Sequence, residues 1–225
     1  MPTDWQVPFP NVKGLRNVGC VGSPRLTDVH LSYGSLVGLK PRSNIAAMNH
    51  QRIPAIIISP YQHVAGILDR TTVSHVISIL GESDRLAWPT VGTLKVLRLK
   101  FDDIIYSSQR FIAPNRDQIA DLIEFARDWN GVGSILIHCR AGRSRSPAAA
   151  VIAAASLGRP DTQALVLRVG AAKAYFRPNE TMLKLADTLL TPSPNLVDLT
   201  RSVSVPTRTD PWGPVTIPLP PLVTP

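Results

Sequence analysis

Residues 134–147 read Ser-Ile-Leu-Ile-His-Cys-Arg-Ala-Gly-Arg-Ser-Arg-Ser-Pro, and three kinds of local structure follow one another within them. Ser134-Ile135-Leu136-Ile137 is a short apolar run enriched in β-branched residues, the pattern of a strand buried on both faces. The polar stretch from Cys139 to Arg145 is a short loop, and Gly142 lets it turn and lets its backbone approach a ligand closely. Beyond Arg145 the chain becomes alanine-rich, and a helix is expected over 145–157, with Pro147 in the first turn where a missing N–H is harmless. A buried strand, a tight loop and a helix N-terminus in that order aim backbone N–H groups at one point and favour an anion there.

Working outward, Ile53-Pro54-Ala55-Ile56-Ile57-Ile58, bounded by Ser59-Pro60, reads as another buried strand, and residues 60–69 place Val64, Ile67 and Leu68 at helical spacing. Further strands are expected at 73–80 (VSHVISIL, ended by Gly81) and 93–99 (TLKVLRL), the latter with imperfect alternation. Residues 100–114 are loop-like. Asn115 then caps a helix whose apolar face is Ile119, Leu122, Ile123, Ala126 and Trp129, closed by Asn130-Gly131. Helical patterns also occupy 161–174 and 179–190. Strands alternating with helices predict an α/β fold, a mainly parallel four- to five-stranded sheet flanked by helices.

The 225 residues carry a formal net charge of +8, with 44% hydrophobic and 18% charged residues. That is too apolar for a disordered chain, and there is no glycine period for a fibrous one. Two cysteines, Cys20 and Cys139, cannot build a disulfide scaffold and fit a reducing compartment better. Prolines divide the chain: of 21, five lie in residues 1–50 and nine in 191–225. The expected organisation is an irregular N-terminal extension (1–50), one compact domain (51–190) and a Pro-rich tail (191–225). Met48 stands just before the first apolar run, so the upstream residues fit either an over-long reading of the gene or a short ordered extension. The tail segment Ile217-Pro218-Leu219-Pro220-Pro221 fits an extended arm on the domain, a disordered end or a polyproline ligand. No apolar stretch approaches membrane-spanning length and no secretory signal opens the chain, so a soluble cytoplasmic protein is expected. The basic excess lies mainly on the middle segment and suggests an anionic partner. It lacks the aromatic interleaving of a nucleic-acid stripe, so no nucleic acid is expected.

The chemistry centres on Cys139. Helix N-termini and cationic neighbours stabilise a thiolate and so make a cysteine nucleophilic at neutral pH. Arg145 supplies a planar fork able to grip two oxygens of a phosphate. An inert core cysteine at a strand end is the plain alternative, but core packing explains neither Gly142, nor Arg145 six positions on, nor Ser146. An anion nest with a nucleophile at its base suits attack on phosphate esters. Such a reaction needs a carboxylic acid to protonate the leaving oxygen, and Asp102 and Asp103 lie 37 and 36 residues before Cys139.

HCRAGRSRS at 138–146 resembles the His-Cys-x5-Arg-Ser/Thr loop of cysteine-dependent protein tyrosine phosphatases, in their small dual-specificity-like branch, which includes compact bacterial enzymes. The resemblance spans about 53–190 and implies a dual-specificity phosphatase-like sandwich. It implies that Cys139 attacks phosphorus to form a thiophosphate intermediate. Arg145 and the loop amides of Arg140, Ala141, Gly142, Arg143 and Ser144 would bind the phosphoryl oxygens. Ser146 would assist departure of the thiolate, and His138 would shape the loop and tune Cys139. The spacing after the strand in similar phosphatases favours Asp103 as the acid, with Asp102 in reserve or merely capping the loop. Arg177-Pro178-Asn179-Glu180 resembles a segment in which the asparagine hydrogen-bonds around the loop, although Asn179 also stands where an N-cap for the helix at 179–190 belongs.

Neither a metal nor a cofactor is implied. The expected partners are a phosphorylated protein or a small phosphomonoester, with phosphate as product and the oligomeric state open. Arg140 and Arg143 make the loop unusually basic, which would serve a phosphoinositide or other polyphosphorylated substrate. Alternatively they face solvent or pair with carboxylates such as Asp69 and Asp84. A phosphate-binding module without catalysis and a sulfur-transfer enzyme are the remaining readings. His63 and His75 lack metal-ligand spacing and are expected in packing or surface roles.

Overall fold

In this computed structural model, residues 53–82, 84, 93–172, 176–203 and 213–219 are described. They build strand β1 (Ala55–Pro60), a 3-10 turn (Tyr61–His63), helix α1 (Val64–Arg70), β2 (Val73–Leu80), β3 (Lys95–Lys100), α2 (Arg116–Trp129) and β4 (Ser134–Cys139). Helices α3 (Arg145–Ser156), α4 (Thr162–Ala172), α5 (Glu180–Leu189) and α6 (Leu196–Arg201) follow, and β5 (Val215–Pro218) closes the order. Cys20, Met48 and Pro220-Pro221 lie outside the described residues.

The sheet has five strands in the order β3-β2-β4-β1-β5. β1, β2, β3 and β4 run parallel to their neighbours among themselves, and β5 is antiparallel to β1. The sheet is thus mostly parallel, in an α/β fold. Every residue of β1 and β4 is buried, which is why their sequences are unbroken apolar runs rather than alternations. β3 is an edge strand, and Lys95, Arg98 and Lys100 are exposed. Charges of that kind protect an edge from pairing with other chains and account for the imperfect alternation. Between α2–α6 and the sheet lies the main core, with Trp129, Phe101, Ile119, Leu122 and the inward isoleucines fully buried. The smaller cluster on the opposite face packs Val64, Ile67 and Leu68 of α1 against Ile57, Val76 and Leu136.

Local chemistry sets the helix limits. Asn115 Oδ1 accepts the Gln118 N–H at 3.0 Å while Gln118 Oε1 accepts the Asn115 N–H at 3.1 Å, a reciprocal capping box. At the other end of α2, Asn130 adopts a left-handed φ of 45°. α3 is buried along nearly its whole length. Its alanines therefore serve close approach to α2, α4, α5 and the sheet rather than intrinsic helicity alone.

Folded elements continue past residue 190, where proline density suggested a tail. α6 takes its N-terminal cap from α5: Asp187 accepts the Leu196 N–H at 2.8 Å. β5 completes the sheet beside β1, with Val215 and Ile217 buried and Thr216 and Pro218 exposed. Leu219 N–H reaches Pro54 O at 2.7 Å. Proline is tolerated in β5 because it is an edge strand. Among the described residues, no helix is long and apolar enough to cross a membrane. If β5 is an integral part of the core, Ile217→Ala should lower unfolding stability by about 2–4 kcal/mol. Thr216→Ala on the exposed face should change it by less than about 0.5 kcal/mol, with urea unfolding as the measurement.

Candidate active site

The C-terminal end of β4 delivers Cys139, and the chain turns through residues 140–144 before entering α3 at Arg145. This turn is seated on the end of β1, where Pro60 pairs with Cys139 in register and Tyr61 N–H donates to Arg140 O at 3.2 Å. Gly142 has φ +67°, and a Cβ there would come within 2.6 Å of Pro60 N. Both the left-handed backbone and the close approach demand glycine. Its amide turns inward, and Gly142 N–H donates to Cys139 Sγ at 3.2 Å. Ser146 Oγ lies 3.3 Å from the same sulfur. Cys139 and Ser146 are both buried.

Arg145, 6% exposed, opens α3. Its Nη1 donates to Phe101 O at 2.8 Å, and its buried Nε has no hydrogen-bond partner among the described residues. It makes no ion pair among them either. A buried guanidinium without a carboxylate is costly unless an anion joins it, so this cation is suited to hold oxyanions in the 139–145 loop.

The two aspartates after β3 part company. Asp102 Oδ2 accepts the Ile112 N–H at 2.9 Å while Asp102 N–H donates to Ile112 O at 2.6 Å. Its carboxylate thus ties the base of the 102–112 loop. Asp103 instead faces the cysteine loop: its Oδ1 accepts from Ser144 Oγ at 2.6 Å and from Asn179 Nδ2 at 3.0 Å. Asn179 has further bonds. Its Oδ1 accepts the Met182 N–H at 3.1 Å, capping α5, and its N–H donates to Ser144 O at 3.3 Å. Capping and support of the loop therefore coexist in this residue.

The remaining expected residues divide by exposure. Ala141 and Arg140 are exposed and Arg143 is half-buried. Arg140 pairs with Asp84 at 3.2 Å, and Asp84 also accepts the Gly81 N–H at 2.8 Å. His63 contacts Gln62. His75 packs edge-on against Phe125 and faces Asp128, near the opposite end of β2 from the residues paired with Cys139. Tyr61, Phe101 and the Ser144 hydroxyl escaped sequence reasoning. Tyr61 and Phe101 contribute backbone groups, which leave no side-chain signal. For Ser144 the resemblance implies a role for the amide alone.

His138 is fully buried, with its ring 5.8 Å from that of Tyr61. Burial lowers its pKa from 6.5 to about 4, partly offset by a backbone hydrogen bond with Cys139. At pH 7 the imidazole is neutral, and it fits as packing beneath the loop. Below pH 6.5 the unfolded chain takes up a proton that the folded chain refuses until about pH 4. Stability should therefore fall as pH drops through that window, by on the order of 3 kcal/mol from this residue. Ring-proton NMR should find His138 still neutral at pH 5, where an exposed histidine is charged.

No protein-family model matches the chain, and neither does any curated protein. Among solved structures it is similar to DUSP15, at 18% identity over 68% of this chain and 94% of that chain, with a TM-score of 0.48. It is also similar to human DUSP28, at 15% identity over 65% of this chain and 92% of that one, with a TM-score of 0.43. Similarity to Tk-PTP is at 16% identity, covering 67% and 93% of the two chains with a TM-score of 0.41. These solved structures, at low sequence identity to the chain, are of dual-specificity and tyrosine phosphatases.

Proposed function

We propose that the protein is a cysteine-dependent phosphomonoester hydrolase, acting on phosphotyrosine or on both phosphotyrosine and phosphoserine or phosphothreonine. One observation carries the reading. A buried guanidinium with no ion pair among the described residues and an inward-turned loop amide flank a buried cysteine that faces the first turn of α3. Loop amides and Arg145 hold the three phosphoryl oxygens, and their charge spreads over donors already in place. Cys139 sulfur, as thiolate, forms the S–P bond while the ester P–O bond breaks, and Asp103 gives its proton to the leaving oxygen. Water then attacks phosphorus, Asp103 takes back a proton, and the S–P bond breaks. The Ser146 hydroxyl donates to the departing thiolate, and phosphate leaves. His138 supports the loop from beneath.

The Arg140–Asp84 ion pair bears on substrate class. A guanidinium engaged by a carboxylate is less available to a second phosphate, which favours a monophosphorylated substrate over a phosphoinositide. Turnover of phosphotyrosine peptides with inositol lipids left untouched is the expected result; the reverse preference would replace this substrate class.

Variants test the assignments on p-nitrophenyl and phenyl phosphate with chelator present. Cys139→Ser should lose ~10³-fold or more in kcat. On phenyl phosphate, whose leaving group needs the proton, Asp103→Asn should lose on the order of 10²-fold in kcat/KM, and Asp102→Asn far less. Undiminished activity in Cys139→Ser contradicts the mechanism. The opposite order for the two aspartates reverses the acid.

A further inference from the structure

We infer that Ser144 and Asn179 are positioning residues that fix which oxygen of Asp103 carries the acid proton, a role that rests on the acid function proposed above. Ser144 stands at the N-cap of α3, where a serine hydroxyl ordinarily accepts an N–H from the first turn. Here its side chain makes no capping bond and instead donates to Asp103 Oδ1 at 2.6 Å. The helix end gives up its cap so that the loop can hold the aspartate. Asn179 reaches the same oxygen from the other side, at 3.0 Å. Its amide orientation is fixed independently, because Oδ1 accepts the Met182 N–H at 3.1 Å. Nδ2 is then the only group of that side chain that can face Asp103, and it can only donate.

A carboxyl oxygen whose two lone pairs both accept hydrogen bonds has none left to carry a proton. With Oδ1 bonded by Ser144 and Asn179, the transferable proton of Asp103 sits on Oδ2. When Oδ2–H passes to the leaving oxygen, the resulting carboxylate keeps both donors on Oδ1. Oδ2 is then the base that takes a proton from the attacking water, which restores the acid. The carboxyl group therefore need not rotate between the two half-reactions. Ser144 belongs to the loop around the sulfur and Asn179 to the start of α5, so the clamp also links proton delivery to the position of the loop.

Asn179→Asp retains a capping acceptor for Met182 while replacing the Nδ2 donor, and Ser144→Ala removes the hydroxyl but keeps the loop amide. The measurement is kcat/KM, which reports P–O cleavage, on phenyl phosphate and on p-nitrophenyl phosphate, alongside the parent and Asp103→Asn. Each positioning variant should lose about tenfold on phenyl phosphate and change little on p-nitrophenyl phosphate, whose phenoxide departs without help. This is the pattern of Asp103→Asn in weaker form, and a merely structural defect would lower both substrates alike. Equal losses on both substrates, or none on either, while Asp103→Asn keeps its selective loss, would overturn the positioning role and leave the phosphatase reading standing. Loss of selectivity in Asp103→Asn itself would overturn the acid assignment and the clamp with it. Should Asn179→Asp fail to fold, judged by its melting temperature, Ser144→Ala alone decides.

Discussion

The hydrogen bond from Arg145 Nη1 to Phe101 O, 2.8 Å long and buried, joins the two segments on which the site depends. One end is the first residue of α3. The other is the residue that follows β3, itself held by Phe101 N–H to Leu80 O at 3.1 Å. A second contact repeats the pairing one step away, where Ser144 Oγ meets Asp103 Oδ1. The cation that would grip an anion and the carboxylate that would deliver a proton are thus set by neighbouring points of one clasp. A guanidinium can bridge in this way because its donors fan out in a rigid plane.

The sheet explains why these segments meet. Parallel strands deliver their following loops to one edge, where open α/β sheets bind ligands. β1, β3 and β4 end there, carrying Tyr61, Asp103 and Cys139 respectively. Gly142 then lets the cysteine loop settle against Pro60 closely enough that no side chain fits between them. The same closeness turns the Gly142 amide toward sulfur. Backbone permissiveness at one residue therefore serves both packing and the anion site.

Much of this was legible in the residues. The apolar runs 53–58 and 134–137 announce strands buried on both faces, which the structure carries on to Pro60 and Cys139, and Asn115 announces a helix cap, to which the structure adds the reciprocal bond from Gln118. β5 was not legible, because four residues set among prolines show too little period and gain their structure only by pairing with β1. α6 was missed for a related reason: its cap comes from Asp187 on another helix, not from a local signal. Within the site, the order of strand, cysteine, glycine, arginine and serine points to the chemistry proposed for it. What adjacency could not separate was Asp102 from Asp103. They differ in what lies opposite, Ile112 for Asp102 and Ser144 with Asn179 for Asp103, and that is tertiary information. Arg140 fits solvent or a carboxylate equally well on sequence grounds, and its ion pair with Asp84 is likewise tertiary information.

The central claim is a covalent phosphoryl group on Cys139. It is tested most directly by rapid quench of Asp103→Asn with p-nitrophenyl phosphate, followed by mass spectrometry of the intact chain and its peptides. This leaving group departs without a proton, whereas hydrolysis of the thiophosphate lacks its base, so the intermediate should accumulate. The expected result is one phosphoryl group per chain, on Cys139, and none in a Cys139→Ser chain treated the same way. Turnover with no phosphorylated chain, or with the phosphoryl group on another residue, would contradict the account.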